Sequence, residues 1–461
     1  MTSQVVTPAA ARVGNERYRK SWYWYDWANS AYVTTTATVI LGPYLTAVAK
    51  QAACPGLAEG AKCTENLHVL GVSIDPGSLY FYTATAATII SAIVLIFVGA
   101  IADRSPRPAR LLGGFAWLGS LAATLMFFVS GSNWQLGVVL MIIASLSLGA
   151  SLVVYDSVLC RIASPDDRDK VSSRGWAFGY LGGGLLLALN LVMLLMHDSL
   201  GISEGMAARV SLASAGLWWA AFTLVPVKGM WDLRGVERLE VARTAGIVGG
   251  SLRQLKDTFA ELRHFPQTLR FLVAYLFFND GIQTVITSSS TYGAEELHFS
   301  QSQLIQTILL VQFVAFGGAL LFGRLAARIG AWRSVLWSLG LWTVVVVLAY
   351  FVPSGAYLPF LALAVLIGIV LGGSQALARS LYSQLVPVNR EAEFFSLYQA
   401  MERGTSWFGM ITFGLVHQLT HSYRWAILAL IVFFVLGGWL LSRVNMRQGI
   451  LDAGNEVPQI V

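Results

Sequence analysis

Twelve runs of about twenty mostly apolar residues follow one another along this chain, and a bundle of membrane-crossing helices is the structure such a pattern permits. The runs fall at 24–49, 77–102, 111–131, 134–157, 175–197, 207–227, 269–291, 303–326, 334–352, 357–382, 394–416 and 425–443. Inside a bilayer the backbone finds no water, so each run has to satisfy its own N–H and C=O groups as a helix. Twelve buried helices of a soluble protein are excluded by composition. Only 12% of the 461 residues are charged, about half the share that a water-facing surface carries. Disorder is excluded by the 56% of hydrophobic residues. The basic residues sit in short loops and form no extended face, which argues against a nucleic-acid partner. The first run follows a hydrophilic stretch and lacks a small-residue cleavage site, so it reads as a retained span and not a signal peptide.

Loop charge sets the orientation. With both ends on the inner side, the inner segments hold 26 of the 31 Lys and Arg residues. The outer side holds four, Lys50, Lys62, Arg209 and Arg424, and Arg403 lies within a span. That bias places both termini in the cytoplasm by the positive-inside rule and requires an even number of spans. The plasma membrane is the expected location. Cys54 and Cys63 share the first outer loop, on the oxidising side, where a disulfide is expected. Cys160, at an inner helix end, reads as an inert thiol.

The longest inner segment, 228–268, divides the chain into an N-terminal six-helix bundle (1–227) and a C-terminal one (269–461). The halves share weak patterns at one offset. Gly99 and Gly323 begin similar strings 224 residues apart, and Gly149 and Gly372 stand 223 apart, as duplication would leave them. Paired halves around a midplane site are a transporter arrangement. Within the linker, Leu252, Leu255, Phe259 and Leu262 share one helical stripe, which reads as an amphipathic helix on the inner membrane surface. Gly175, Gly179 and Gly183 recur every four residues and allow close helix contact. Gly42-Pro43 is expected to kink the first span, and Trp22, Tyr23, Trp24, Tyr25 and Trp27 to form an interfacial belt.

The loop pattern Gly99-x-x-x-Asp103-Arg104, with Arg107 and Arg110, resembles the inner-loop signature of the major facilitator superfamily. Its second copy keeps Gly323 and Arg328 but has Ala327 where the acid would stand. Four longer strings narrow the resemblance: residues 25–32 (YDWANSAY), 179–184 (GYLGGG), 279–284 (NDGIQT), and 373–376 (GSQA) running through Arg379-Ser380 to 390–395 (REAEFF). Together they resemble the branch typified by the autophagy-related vacuolar amino-acid effluxer, over residues 21 to 440. The resemblance implies twelve helices, alternating access, small-molecule export, and a cavity lined by spans one, four, seven and ten, with the eleventh packed further back. It also implies an inner gate built from Gly99, Asp103, Arg104, Arg107, Asp156 and Arg328.

An ionisable side chain deep in a bilayer marks a functional site by default. Asp280 lies eleven residues into the seventh run, and Glu402 and Arg403 eight and nine into the eleventh. At the helical rise these depths are about 16 Å and about 12–14 Å, close to the midplane. Polar stripes surround them: Asp280 with Thr284, Thr287 and Thr291; Tyr398 with Glu402 and Thr405; Asp26 with Asn29 and Ser30; Gln375 with Arg379; Ser151 with Tyr155, beside Asp156. The expected substrate contacts are Asp26, Asn29, Tyr155, Asp280, Gln283, Thr284, Gln375 and Arg379. Asp280 would hold an ammonium, and Arg403 or Arg379 a carboxylate. The alternative is packing by a buried Glu402–Arg403 or Asp280–Arg403 ion pair, or helix-end latching by Asp26 and Asp156. Proton coupling falls first to Asp280 and second to Glu402, the latter only if Arg403 leaves it unpaired.

No phosphate-binding loop, metal-ligand cluster or nucleophile–base pair occurs, so no cofactor or enzyme activity is expected. The sequence therefore predicts an all-α membrane protein of twelve transmembrane helices in two pseudo-symmetric six-helix bundles. It would act as a monomeric secondary transporter of a small polar or amphipathic solute, an amino acid first, with protons and the bilayer as its other partners. The alternatives are a lipid or lysolipid flippase on the same fold and a non-transporting receptor or scaffold.

Overall fold

A computed structural model of the chain describes residues 15–56, 63–69, 72–234, 262–404 and 407–461. Among these, eleven helices are long and apolar enough to cross a membrane. They are span 1 (Glu16–Ala53), span 2 (Leu79–Asp103), span 3 (Pro108–Phe128), span 4 (Trp134–Ile162), span 5 (Pro165–Leu195), span 6 (Glu204–Gly229), span 7 (Pro266–Glu296), span 8 (Gln301–Ile329), span 9 (Ala331–Phe351), span 10 (Tyr357–Gln384) and span 12 (Tyr423–Ser442). The eleventh apolar run is two fourteen-residue helices, 11a (Glu391–Gly404) and 11b (Trp407–Thr420). Large apolar side chains such as Phe81, Leu189, Trp337 and Leu358 face outward, as a lipid-facing surface requires.

Buried side chains form two large clusters. One is drawn from residues 18–233 with Ala392, the other from 262–450 with Tyr180. Both ends of the described chain meet one face of the molecule. Arg19 donates to the Ile162 carbonyl at 3.0 Å, and the Gln459 N–H donates to Asp166 at 2.7 Å. The opposite face carries the short hairpin Leu67–Val69/Val72–Ile74 and the Cys54–Cys63 disulfide. The amphipathic segment 252–261 and Thr405 lie outside the described residues.

Span 1 departs from a plain helix in a way that its sequence explains. From Tyr32 to Ile40 it widens to hydrogen bonds that skip five residues, and the Leu41 N–H reaches the Thr36 carbonyl. Pro43 then follows just beyond this wide stretch, in the helix Leu41–Ala53. The span 5 glycines lie against span 1 in strict register. A Cβ on Gly175 would stand 2.6 Å from Asp26, on Gly179 2.6 Å from Ser30, and on Gly183 2.6 Å from Thr34. Only glycine lets the two backbones approach this closely.

The aromatic start of span 1 corrects an expectation. Trp22 and Tyr25 are fully buried, not interfacial. The indole of Trp22 stacks on Tyr155 at 4.2 Å and donates to the Tyr155 carbonyl, while Trp24 and Trp27 pack with Phe178 and Phe222. Aromatic density alone does not separate a belt from a helix–helix contact, because both need large flat side chains with one polar atom.

Candidate functional site

A cavity of about 450 Å³ lies between the two groups of spans. It runs from mid-molecule toward the face that bears the disulfide loop. Its walls come from spans 1, 4, 5, 7, 8, 10 and helix 11a, with Thr88 from span 2. The upper walls differ in character. Spans 8 and 10 present Leu304, Ile308, Val311, Phe360, Ile367 and Leu371, whereas spans 1 and 7 present hydroxyls and the amide of Gln283.

The charges gather on the floor. Arg379, 3% exposed, reaches from span 10 across to the other half. Its guanidinium pairs with Asp26 at 3.1 Å and Asp156 at 3.4 Å, and donates to the Ser172 hydroxyl at 3.0 Å. The rings of Trp22, Tyr155 and Trp176 enclose it at 4.8, 5.4 and 5.3 Å. Tyr155 donates its hydroxyl to Asp26 at 2.7 Å, fixing that carboxylate from below the cavity. Beside this cage, Gln399 donates to Asp156 at 2.9 Å and to Glu402 at 3.3 Å, and accepts from Arg403 at 3.4 Å. Three carboxylates, Asp26, Asp156 and Glu402, thus share the floor with two guanidiniums, Arg379 and Arg403.

Below the floor, direct bonds between the halves seal the molecule. Asp103, at the end of span 2, accepts the Ala392 and Glu393 N–H groups at 2.9 and 2.8 Å. These are orphan donors at the start of helix 11a, where a carboxylate is favoured by the helix dipole. Arg161 bridges Asp103 and Glu391 at 3.9 and 3.4 Å. Arg168 donates to the Ser383 carbonyl at 2.7 Å, and Gln384 to the Pro165 carbonyl at 2.8 Å. Gly99 makes the contact possible: a Cβ there would stand 2.6 Å from Ser396 Oγ and 2.7 Å from the Ala392 carbonyl. Gly323 stands against Ser173 in the corresponding place. Gly99→Ala is therefore expected to hold this end ajar. Cys160, half-buried here against the Ser383 carbonyl, is the free thiol that reports it. Its alkylation by a maleimide should speed up at least severalfold over wild type.

The sequence model of the "Vacuole effluxer Atg22 like" family matches residues 15–168 and 163–454. The chain belongs to this family, within the major facilitator superfamily. An uncharacterized transporter of that superfamily from Bacillus subtilis, YxiO, is 27% identical over 93% of this chain and 95% of its own length. Autophagy-related protein 22-1 of Phaeosphaeria nodorum is 26% identical over 86% and 81%. Solved structures agree on the fold. A bacterial homologue of the iron transporter ferroportin, outward-facing, superposes with TM-score 0.63 at 13% identity, covering 93% of this chain and 98% of that one. The proton:xylose symporter XylE superposes with TM-score 0.66, also at 13% identity, over 93% and 96%. The chain is thus an integral, multi-pass transporter and not an enzyme.

In this Atg22-like chain the residues singled out from sequence divide between three places. Asp26, Asn29, Gln283, Gln375 and Arg379 line the cavity, as do Asp156, Glu402 and Arg403. Tyr155 supports the floor from beneath. Asp280 and Thr284 do not line the cavity. They border helix 11b instead: Asp280 accepts the Gly409 N–H and Thr284 lies against the same glycine, while Gln283, at the edge of this stripe, reaches the cavity. Two further corrections concern helix 11a and the gate. Helix 11a does reach the cavity, through Tyr398, Gln399, Glu402 and Arg403. Of the gate residues, Gly99 and Asp103 close the lower end, and Asp156 belongs to the Arg379 cage instead. Arg104, Arg107 and Arg328 are exposed. Without an acid at 327, Arg328 makes no ion pair among the described residues. Gln399, Ser172 and Trp176 were not anticipated. Gln399 had a signal: it stands three and four residues before Glu402 and Arg403, on the same helix face.

Proposed function

We propose that this chain exports an amino acid with an apolar side chain, by alternating access of two six-helix halves, 1–227 and 269–461, about the cavity floor. The observation that carries the reading is the floor's charge: three acids against two guanidiniums in a pocket whose upper wall is apolar on spans 8 and 10. The surplus negative charge suits an ammonium, held by Asp26 and Glu402. Arg379 is fully committed to Asp26, Asp156 and Ser172, so Arg403, bonded to Gln399 alone among the described side chains, takes the carboxylate. The apolar side chain then lies along Leu304, Ile308 and Leu371. Gln375 and Asn29 complete the polar rim, and Glu402 is the cavity's proton-coupling carboxylate. By loop charge the sealed face is cytoplasmic, which makes this the outward-open state of a monomeric plasma-membrane transporter.

Counterflow in proteoliposomes tests the reading. Vesicles preloaded with leucine should accumulate labelled leucine. Arg403→Ala should weaken the apparent affinity by roughly 10–100-fold, the worth of a charged hydrogen bond of about 1.5–3 kcal/mol. Exchange of lysolipid with no exchange of any amino acid would replace this reading with the flippase.

A further inference from the structure

Asp280 is fully buried, one helical turn from Thr284, on the side of span 7 turned away from the cavity. Its Oδ2 accepts the Gly409 N–H at 2.8 Å, in the first turn of helix 11b. Its Oδ1 and the Thr284 hydroxyl, both buried, have no hydrogen-bond partner among the described residues. The same glycine borders both residues. A Cβ at Gly409 would stand 2.1 Å from Thr284 Oγ1 and 3.3 Å from the Asp280 carbonyl oxygen. A side chain at 409 would thus collide with the Thr284 hydroxyl and crowd the Asp280 carbonyl oxygen, while the Asp280 carboxylate sits against the Gly409 N–H. Phe433 and Phe434 close the neighbouring side, against Gly281.

Among the described residues no cation serves this carboxylate. The charged and titratable side chains on the helices packed against span 7 are Glu391, Glu393, Tyr398, Glu402 and Arg403 on 11a, His417 on 11b, Tyr357, Arg379 and Tyr382 on span 10, Tyr423 and Arg424 on span 12, and Arg447 and Asp452 on the terminal helix Met446–Asp452. Span 7 itself adds Arg270, Tyr275, Tyr292, Glu295 and Glu296. None bonds Asp280. One amide and a helix N-terminus offset only part of the cost of a buried carboxylate in a membrane domain. Hard oxygen donors around a single negative charge are the coordination of a small monovalent cation.

We propose that Asp280 and Thr284 form a monovalent-cation site, occupied by H⁺ or Na⁺, separate from the cargo cavity and coupled to it through the contacts of span 7 with helices 11a and 11b. The link is the preceding residue. Asn279 donates to the Glu402 carbonyl at 3.4 Å, in the last turn of 11a, and accepts from Gln375 of the cavity wall at 3.1 Å. Consecutive residues of span 7 thus hold the end of 11a and the start of 11b. A cation on Asp280 draws charge from the Gly409 contact, loosens 11b, and changes how 11a presents Glu402 and Arg403 to cargo. The coupling rests on the export reading; the site does not.

The test therefore omits cargo. Purified full-length protein is titrated with ²²Na⁺ alone, and its infrared spectrum is recorded at neutral pH. In the sodium arm, wild type binds Na⁺ saturably, Asp280→Asn abolishes binding, and Thr284→Val, equal in size, weakens it roughly tenfold or more. In the proton arm, Na⁺ does not bind, and a protonated-carboxyl C=O band vanishes in Asp280→Asn and shifts in Thr284→Val. The proposal is overturned if wild type binds no sodium and shows no carboxyl band assignable to Asp280. It is equally overturned if sodium affinity and band position are unchanged in Thr284→Val, the variant that decides the matter should Asp280→Asn fail to fold. Failed leucine counterflow with intact cation binding would sink the export reading alone.

Discussion

Arg379→Ala is expected to open the sealed end and to cost about 3–5 kcal/mol, the loss seen when one partner of a buried ion pair is removed. That is roughly two to nearly four decades in the closed-to-open equilibrium. The reason is electrostatic. Asp26 on span 1 and Asp156 on span 4 both face the Arg379 guanidinium from the opposite half. Without it, two carboxylates remain buried close together, and separating the halves is the direct way to rehydrate them. Cys160 should then react with maleimide at a rate far above that of wild type, and the melting temperature in detergent should fall. Arg379→Lys should recover only part of the effect, because an ammonium does not reproduce a planar fork that contacts two acids and Ser172 while lying among three rings. The decisive comparison is the triple variant Asp26→Asn, Asp156→Asn, Arg379→Gln. Removing all the charges together should restore the melting temperature without restoring transport. A triple variant as unstable as Arg379→Ala would show that the cage acts through packing and not through charge.

The architecture was legible in the sequence because membrane spans are set by a local property, the length of an apolar run. The side-chain partners were legible only in part. Asp26, Arg379 and Gln375 were found as polar residues on otherwise apolar helices, but the pairing of Arg379 with acids more than 200 residues away depends on which faces of spans 1, 4 and 10 meet. Asp280 shows the limit more sharply. Its place along the run does not give its direction, since an intramembrane acid is costly wherever it points. The stripe of Asp280 with Thr284 is real, yet it faces helix 11b, while Gln283, one residue away, faces the cavity. The aromatic residues at 22 and 25 failed for a related reason: composition records how much ring surface is present, not what it packs against.

Asp103→Asn tests whether the two halves close the sealed end unequally. The Asp103 carboxylate accepts two N–H groups from the start of helix 11a and lies 3.9 Å from Arg161. An asparagine offers one acceptor oxygen and sets an NH₂ against the second N–H. One buried backbone donor is then left without a partner, at a cost of about 1–3 kcal/mol, and the favourable charge on the helix N-terminus, about 0.3–2 kcal/mol, is lost as well. The sum shifts the equilibrium toward opening of the sealed end by roughly 10–4,000-fold, read as faster Cys160 alkylation and a lower rate of counterflow. The repeat-related position behaves differently. Span 8 carries Ala327 where Asp103 would lie, and Arg328 beside it is exposed. Arg328→Ala should therefore change Cys160 reactivity by no more than the roughly 0.5 kcal/mol typical of a surface substitution. Equal effects at 103 and 328 would mean that closure is symmetric and that the charge on helix 11a is incidental. An effect at 103 alone makes span 2 and helix 11a the single latch, with the duplicated loop kept in span 8 for the close contact of Gly323 with Ser173.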